Sequence, residues 1–480
     1  MNVRLRHLYS RWPCKATLTP RFTPLTTKRC HASGSREAAY PAPRPRRVVY
    51  TSKSALWSSP IHPILHCAYE ENFEVPSSHK RFHDEEVARL PNTIPLWNAR
   101  EVALELVGKE AYQTCIMPNI WLRENCLCNE CINSDTLQRA VDTFSLPQDI
   151  QPSKVVIAKQ GLQITWQDGH QSLHPWAWIE NHKGLENNLN YRIIHRKEED
   201  TRVYWGAEIA DNPPSVHYDE IMASDVGVGV WTEKIRKYGF CYVDGCPVSP
   251  KKTEELLRRI SFIRETHYGG FYDFTSDLTM KDTAYTSLAL PAHTDTTYFS
   301  DPAGLQMFHL LSHTSGEGGT SLLVDGFKAA HILQQEDNIA YGFLRTFKLS
   351  AHASGNEGIT ITPSKEFTVI EGFRVANTRD LLRIRWNNDD RVTPRLSPAT
   401  AGWYKAARKF NEILKRKDME YWAQLEPGRP LIFDNWRVLH GRSAFTGTRR
   451  ICGGYINHDD YISRWRNTNF TRSRILRHIL

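Results

Sequence analysis

Short runs in which apolar residues recur at strand spacing dominate this chain. From Thr93 to Trp178 they read TIPLW, NIWLRENC, KVVIA and LQITW. The last two flank Lys159-Gln160-Gly161 and predict a hairpin. A small β-rich domain is expected over residues 93–181. Residues 182–214 are polar, carry Pro213-Pro214 and suit a connector. Val226–Lys237 has helical spacing and stops at Gly239, and FCYVDG follows as a strand. Ser249-Pro250 opens another helix in the expected cap order, with Leu256, Leu257, Ile260 and Ile263 on one face. Strand-like runs follow at LQMFHLL, TSLLVDG, LLRIRW, RPLIFDN and ICGGYI. An amphipathic helix over 398–415 is expected to bury Trp403, Phe410 and Leu414. Many non-local strands with a few helices predict a mainly β fold with covering helices. The architecture that fits is a double-stranded β-helix, or jelly roll, over residues 215–465, followed by a tail over 466–480.

Charge adds a feature that the pattern does not. The formal net charge is +8, but the excess is concentrated at the start. Residues 1–49 hold nine Arg and two Lys against one acid, Glu37. They are rich in Ser and Thr and lack a continuous apolar core, which predicts a mitochondrial presequence rather than a secretory signal. A matrix location is expected, with a cytoplasmic one as the alternative. Pro41, Pro43 and Pro45 open a disordered or linker stretch that continues over 50–92. The rest of the chain is nearly balanced, so no nucleic-acid footprint is indicated. There is no apolar run of about 18 residues, so no membrane span is expected. Ten cysteines without an extracellular signal point to thiols or metal ligands, not to a disulfide frame.

The candidate chemistry centres on His293 and Asp295, a His-x-Asp pair in PAHTDTTYF. Alternate residues of an extended segment point to one side, so imidazole and carboxylate can close on one metal ion. A third ligand stands far along the chain, in VLHGR, as His440. Two histidines and one carboxylate form the facial triad of non-haem Fe(II) sites and leave coordination positions open. His309 and His313 compete for the third place, but His309 lies inside an apolar strand. A second constellation is NCLCNEC, with Cys126, Cys128 and Cys131, followed by His170. Three thiolates and an imidazole make a closed, structural zinc site. Cys14, Cys30, Cys67, Cys115, Cys241, Cys246 and Cys452 show no comparable spacing. Tyr268, Phe271, Tyr272, Phe274, Tyr285 and Tyr455 form an aromatic-rich set. Aromatic faces attract quaternary ammonium groups, while Phe271 and Phe274 read as packing residues.

The runs ISFIRETHYGGFYDFTSD, DTAYTSLALPAHTDTTYF and GRPLIFDNWRVLHGRSAFTGTRRICGGY resemble the gamma-butyrobetaine/trimethyllysine dioxygenase family of 2-oxoglutarate-dependent Fe(II) hydroxylases. The resemblance covers about residues 93 to 465, and HTDTTYF is nearer to the trimethyllysine branch. It implies Fe(II), 2-oxoglutarate as cosubstrate and L-ascorbate. The implied reaction is hydroxylation of free trimethyllysine at C3, giving succinate and carbon dioxide, in carnitine biosynthesis. It also implies a homodimer, and gamma-butyrobetaine members carry the Cys3His arrangement in their small domain. Arg449 matches the arginine that grips the distal carboxylate of 2-oxoglutarate, with Ser321 assisting. Arg450, its neighbour, faces the other side of a strand. Tyr285 and Tyr455 match the ammonium cage, with Tyr268 and Tyr272 next. Asp282 is expected to meet the substrate's α-ammonium, and Asn387 and Asn388 its carboxylate. Two alternatives stand beside this reading: gamma-butyrobetaine hydroxylation, and a non-catalytic module that binds trimethyllysine.

Overall fold

The computed structural model describes residues 95–107, 112–182, 201–275, 286–372 and 381–476. The expected presequence and linker, residues 183–200 of the connector, Asp282 and Tyr285 lie outside them, as do Cys14, Cys30 and Cys67.

Two antiparallel three-stranded sheets build the N-terminal part. One joins Leu96–Trp97, Glu101–Val107 and Tyr112–Pro118, and the other Pro152–Ala158, Gly161–Trp166 and Gln171–Pro175. The second contains the expected hairpin, with Ala158 opposite Gly161. NIWLRENC is a correction: Asn119–Glu124 is a helix, not a strand. Asn119, Leu122 and Arg123 are its buried residues, and that i, i+3, i+4 spacing is helical. Leu122 joins Val155, Leu162, Ile164 and Trp166 in one apolar core.

The larger part holds two sheets. The first has six strands in the order Ser215–His217, Phe240–Asp244, Leu431–Asp434, Leu305–Thr314, Thr448–Ile456, Tyr272–Thr275. The second has four, in the order Leu290–His293, Val438–Arg442, Ser321–Asp325, Tyr421–Ala423. Phe240, Leu310, Phe433 and Ile451 of the first pack with Leu323, Tyr421 and Val438 of the second in one cluster. This is the expected mainly β architecture with covering helices, and its two sheets do not close into a barrel.

Period-two alternation sorts the strand residues. Leu305 and Met307 pack outward with Cys241, Ile432 and Ile456 against helices Asp225–Tyr238, Pro250–Arg258 and His458–Asn469. Gln306 and Phe308, between and beyond them, line an inner cavity. Asp225–Tyr238 starts where Ser224 accepts from Gly227 N and ends at Gly239, whose φ of +80° is left-handed, as a C-terminal glycine should be. The helix Thr400–Leu414 buries Trp403, Phe410 and Leu414 against Gly326–Glu336 and Asn338–Thr346. The last two helices were not anticipated, because the run TSLLVDG merges into the first of them. There Asp325 ends the strand and caps the helix, accepting from Phe327 N at 3.0 Å. Trp205 and Ile209, in the expected connector, are buried in the core between the sheets. His458–Asn469 runs across the expected boundary at 465, and Trp465 is buried.

Candidate active site

Sheet register brings the distant histidines together. His293 ends its strand directly opposite His440, and their rings lie 4.3 Å apart. The chain leaves the strand after His293, and beyond Asp295 it turns, with Thr296 in the left-handed region at φ +56°. Asp295 Oδ1 stands 3.2 Å from His293 Nε2 and 3.8 Å from His440 Nε2. Three donors all within 4.8 Å of one another fit one face of an octahedral ion, and their nitrogen and oxygen chemistry suits Fe(II). His293 Nδ1 donates to Pro291 O at 2.8 Å, which aims Nε2 at the shared centre. His309 is excluded by its face. It points outward to Thr253 Oγ1 at 2.6 Å and accepts from Gly428 N at 3.0 Å. His313 bonds Thr446 O at 2.9 Å.

The charges within the triad are interdependent. Burial raises the Asp295 pKa, but the charges of His440 and His293 and hydrogen bonds from His293 and Tyr455 hold it well below the usual carboxylate range. Burial and the neighbouring His293 push His440 down to about 3. His293, despite burial, is held up at about 8 by Asp295. At neutral pH the site therefore offers one anionic oxygen and one neutral imidazole, and a cation displaces the proton of the third donor.

A cavity opens beside these donors, with Arg449 and Ser321 in its wall. Arg449 is 1% exposed. Its Nε and Nη1 have no hydrogen-bond partner among the described residues, and burial lowers its pKa to about 10. Its guanidinium lies over the Phe445 ring at 5.0 Å. A buried, unneutralised guanidinium is costly, and a bidentate carboxylate is the partner that its fork fits. Gly319 makes room for it. At φ +69° a Cβ there would come within 2.9 Å of the guanidinium. Arg450 faces the other way and pairs with Asp273 at 2.6 and 2.8 Å.

Tyr268, Tyr272 and Tyr455 line the same cavity, as does Asn387. Tyr272 and Tyr455 meet edge to face at 5.9 Å. The structure does not bring Asn388 there. It is exposed, because the bend after Trp386 turns successive side chains apart. Phe274, read as packing, also lines the cavity. Sequence reasoning missed Tyr298, Gln306, Phe308, Asp390 and Arg442, all in the wall. For Gln306 and Phe308 the available signal was alternation within LQMFHLL.

The cysteine cluster is a separate site. His170 Nε2 lies 3.3, 3.4 and 3.7 Å from the sulfurs of Cys126, Cys131 and Cys128. A tetrahedral zinc with sulfur at about 2.3 Å puts ligand nitrogen and sulfur about 3.5 Å apart. Close packing sets the thiols against one another. Hydrogen bonds with Cys126 and Cys131 pull Cys128 down, and contacts with Cys128 and Cys131 push Cys126 up. A dication removes that conflict. Arg123 donates to Cys131 Sγ at 3.5 Å and to Asp168 at 3.0 Å, and Asp168 in turn accepts from His170 N at 2.9 Å.

The family profile described as Taurine catabolism dioxygenase TauD, TfdA family matches residues 198–455, and that described as Gamma-butyrobetaine hydroxylase-like, N-terminal matches 103–180. Fold and site together define a dioxygenase of the iron- and 2-oxoglutarate-dependent TauD, TfdA class. The chain is 51% identical over 403 residues to trimethyllysine dioxygenase of Neurospora crassa, covering 75% of this chain and 82% of that one. It is 37% identical over 371 residues to the human mitochondrial trimethyllysine dioxygenase, covering 76% and 86%. Against the gamma-butyrobetaine dioxygenase of a Pseudomonas species the figures are 30% over 358 residues, covering 72% and 88%. Within the class, the chain belongs to the trimethyllysine dioxygenase family.

Proposed function

We propose that this chain hydroxylates free N6,N6,N6-trimethyllysine at C3, consuming O2 and 2-oxoglutarate and releasing succinate and carbon dioxide, as the first step of carnitine biosynthesis. The observation that carries this is a single cavity lined by His293, Asp295, His440, Arg449, Tyr268, Tyr272 and Tyr455, in a chain so similar to the Neurospora enzyme. The triad would hold Fe(II), which when bound supplies oxygen activation. Arg449 grips the distal carboxylate of 2-oxoglutarate, with the Ser321 hydroxyl beside it. A trimethylammonium group has no N–H to donate, so aromatic faces are its natural receptor. Tyr268, Tyr272 and Tyr455 serve here, with Tyr285. Asn387 takes the substrate carboxylate. Among the described residues, Asp295 and Asp390 are the two carboxylates in the wall. With Asp295 committed to metal, Asp390 joins Asp282 as a partner for the α-ammonium. Phe274, Leu290, Phe308, Leu425 and Ile451 keep the reacting end dry.

Four further assignments belong to this reading. Cys126, Cys128, Cys131 and His170 hold a structural zinc, supported by the spacing above. L-Ascorbate keeps the iron reduced. Residues 1–49 direct the protein to mitochondria, in keeping with their basic composition and the names of mammalian relatives. The enzyme acts as a homodimer, a state that light scattering tests. The substrate is tested by supplying purified protein with Fe(II), ascorbate, 2-oxoglutarate and one amine at a time, and measuring succinate. Free trimethyllysine is expected to give the fastest release. Faster release with gamma-butyrobetaine assigns the sister activity. Binding of trimethyllysine with no 2-oxoglutarate turnover makes the chain a non-catalytic module.

A further inference from the structure

Asp295 uses its two oxygens differently. Oδ1 faces the histidines, at 3.2 and 3.8 Å. Oδ2 faces away and accepts two hydrogen bonds, from Gln306 Nε2 at 2.7 Å and from Tyr455 OH at 2.8 Å. Gln306 and Tyr455 are cross-strand partners on Leu305–Thr314 and Thr448–Ile456, and both are at least 95% buried. Their strand alternation turns them inward together, so the six-stranded sheet presents two donors to one oxygen. The identity of the donor fixes the amide. An ionised carboxylate only accepts, so the Gln306 nitrogen must face it, and Gln306 Oε1 is left without a hydrogen-bond partner among the described residues. An arrangement that leaves a buried acceptor unpaired is held for another purpose.

We propose that Gln306 and Tyr455 are positioning residues that keep Asp295 a one-oxygen ligand. A carboxylate with both oxygens free can chelate an ion and take an extra coordination position. In a facial triad that position belongs to the cosubstrates. Occupying Oδ2 with two donors keeps it open and fixes the direction of Oδ1, as partners behind a metal ligand do. Tyr455 then has two tasks on one side chain. Its ring, edge to face with Tyr272, is a wall of the substrate cavity, and its hydroxyl steers the metal ligand. Substrate pressing on the ring is thereby coupled to the geometry of Asp295.

This rests on the iron-dependent reading of the site, and the test separates the two. Mn(II) is titrated into the holo-purified, iron-stripped chain and followed by paramagnetic resonance, without substrate or turnover. Mn(II) favours nitrogen and oxygen donors over the thiols of the cysteine cluster. Tyr455→Phe keeps the ring and removes the hydroxyl; Gln306→Leu removes the other donor from the opposite strand. Each is expected to weaken Mn(II) binding about tenfold, because Oδ1 loses its fixed direction. Circular dichroism identifies any variant that fails to fold, and the other then decides. Parent-like Mn(II) affinity in the folded variants overturns the proposal. Failure of the parent itself to bind Mn(II) overturns the iron-dependent reading instead.

Discussion

Asn435 performs no chemistry, yet it fixes the ligand that does. Its Oδ1 accepts from Asp295 N at 2.7 Å, and its Nδ2 donates to Asp295 O at 3.1 Å and Ala303 O at 2.9 Å. Asn435→Ala leaves three backbone groups short of a partner, one buried and two partly buried, each costing about 1–3 kcal/mol. The expected outcome is a loss of about 3 kcal/mol or more in urea unfolding, together with weaker metal binding. Arg449 is a different case, because its natural partner is a ligand. Arg449→Gln removes a charge-assisted pair worth about 1.5–3 kcal/mol. The KM for 2-oxoglutarate is therefore expected to rise about 10- to 100-fold, while the KM for trimethyllysine changes little. Steady-state kinetics with each cosubstrate varied in turn checks this.

Elements are tied together by buried ions as well as by apolar packing. Asp325, at the start of helix Gly326–Glu336, meets Arg437 at 2.8 and 3.2 Å. Arg437 also donates to Lys237 O at 3.0 Å and Val203 O. One guanidinium thus joins the end of helix Asp225–Tyr238, the segment before Trp205 and the turn that precedes the His440 strand. Removing one side of a fully buried pair costs about 3–5 kcal/mol. Arg437→Met should lower the denaturant midpoint accordingly, and a smaller loss in the Arg437→Met, Asp325→Asn double variant would show that the cost lies in the stranded charge. In the small β-rich part, the cysteine cluster links helix Asn119–Glu124 and its following loop to His170, at the turn before Gln171–Pro175. Cys128→Ser is expected to bring zinc content from about one per chain to near zero and to lower the unfolding temperature. Metal analysis beside a thermal melt measures both.

At the scale of the whole molecule, sheet register converts distant sequence into one site. The convergence of His293, Asp295 and His440 was legible because His-x-Asp and His-Gly-Arg are chemically unusual on strands, and that of the cysteines with His170 because thiols rarely cluster without cause. Gln306, Tyr298 and Asp390 were not, because a glutamine inside LQMFHLL or an aspartate in NNDDR looks ordinary until another strand lies beside it. Helix Asn119–Glu124 was misread for a related reason: its apolar residues Ile120, Trp121 and Leu122 are consecutive, and such a run does not distinguish helix from strand. Asn388 was placed in the pocket with Asn387 although a bend separates their directions. Convergence of the site's side chains implies delivery of oxygen into a trimethylated amino acid. Its most direct test is mass spectrometry of products formed under 18O2 with Fe(II), 2-oxoglutarate and trimethyllysine. The expected result is one heavy oxygen in hydroxytrimethyllysine and one in succinate, in equal amounts. Unmodified trimethyllysine, with or without labelled succinate, would contradict it.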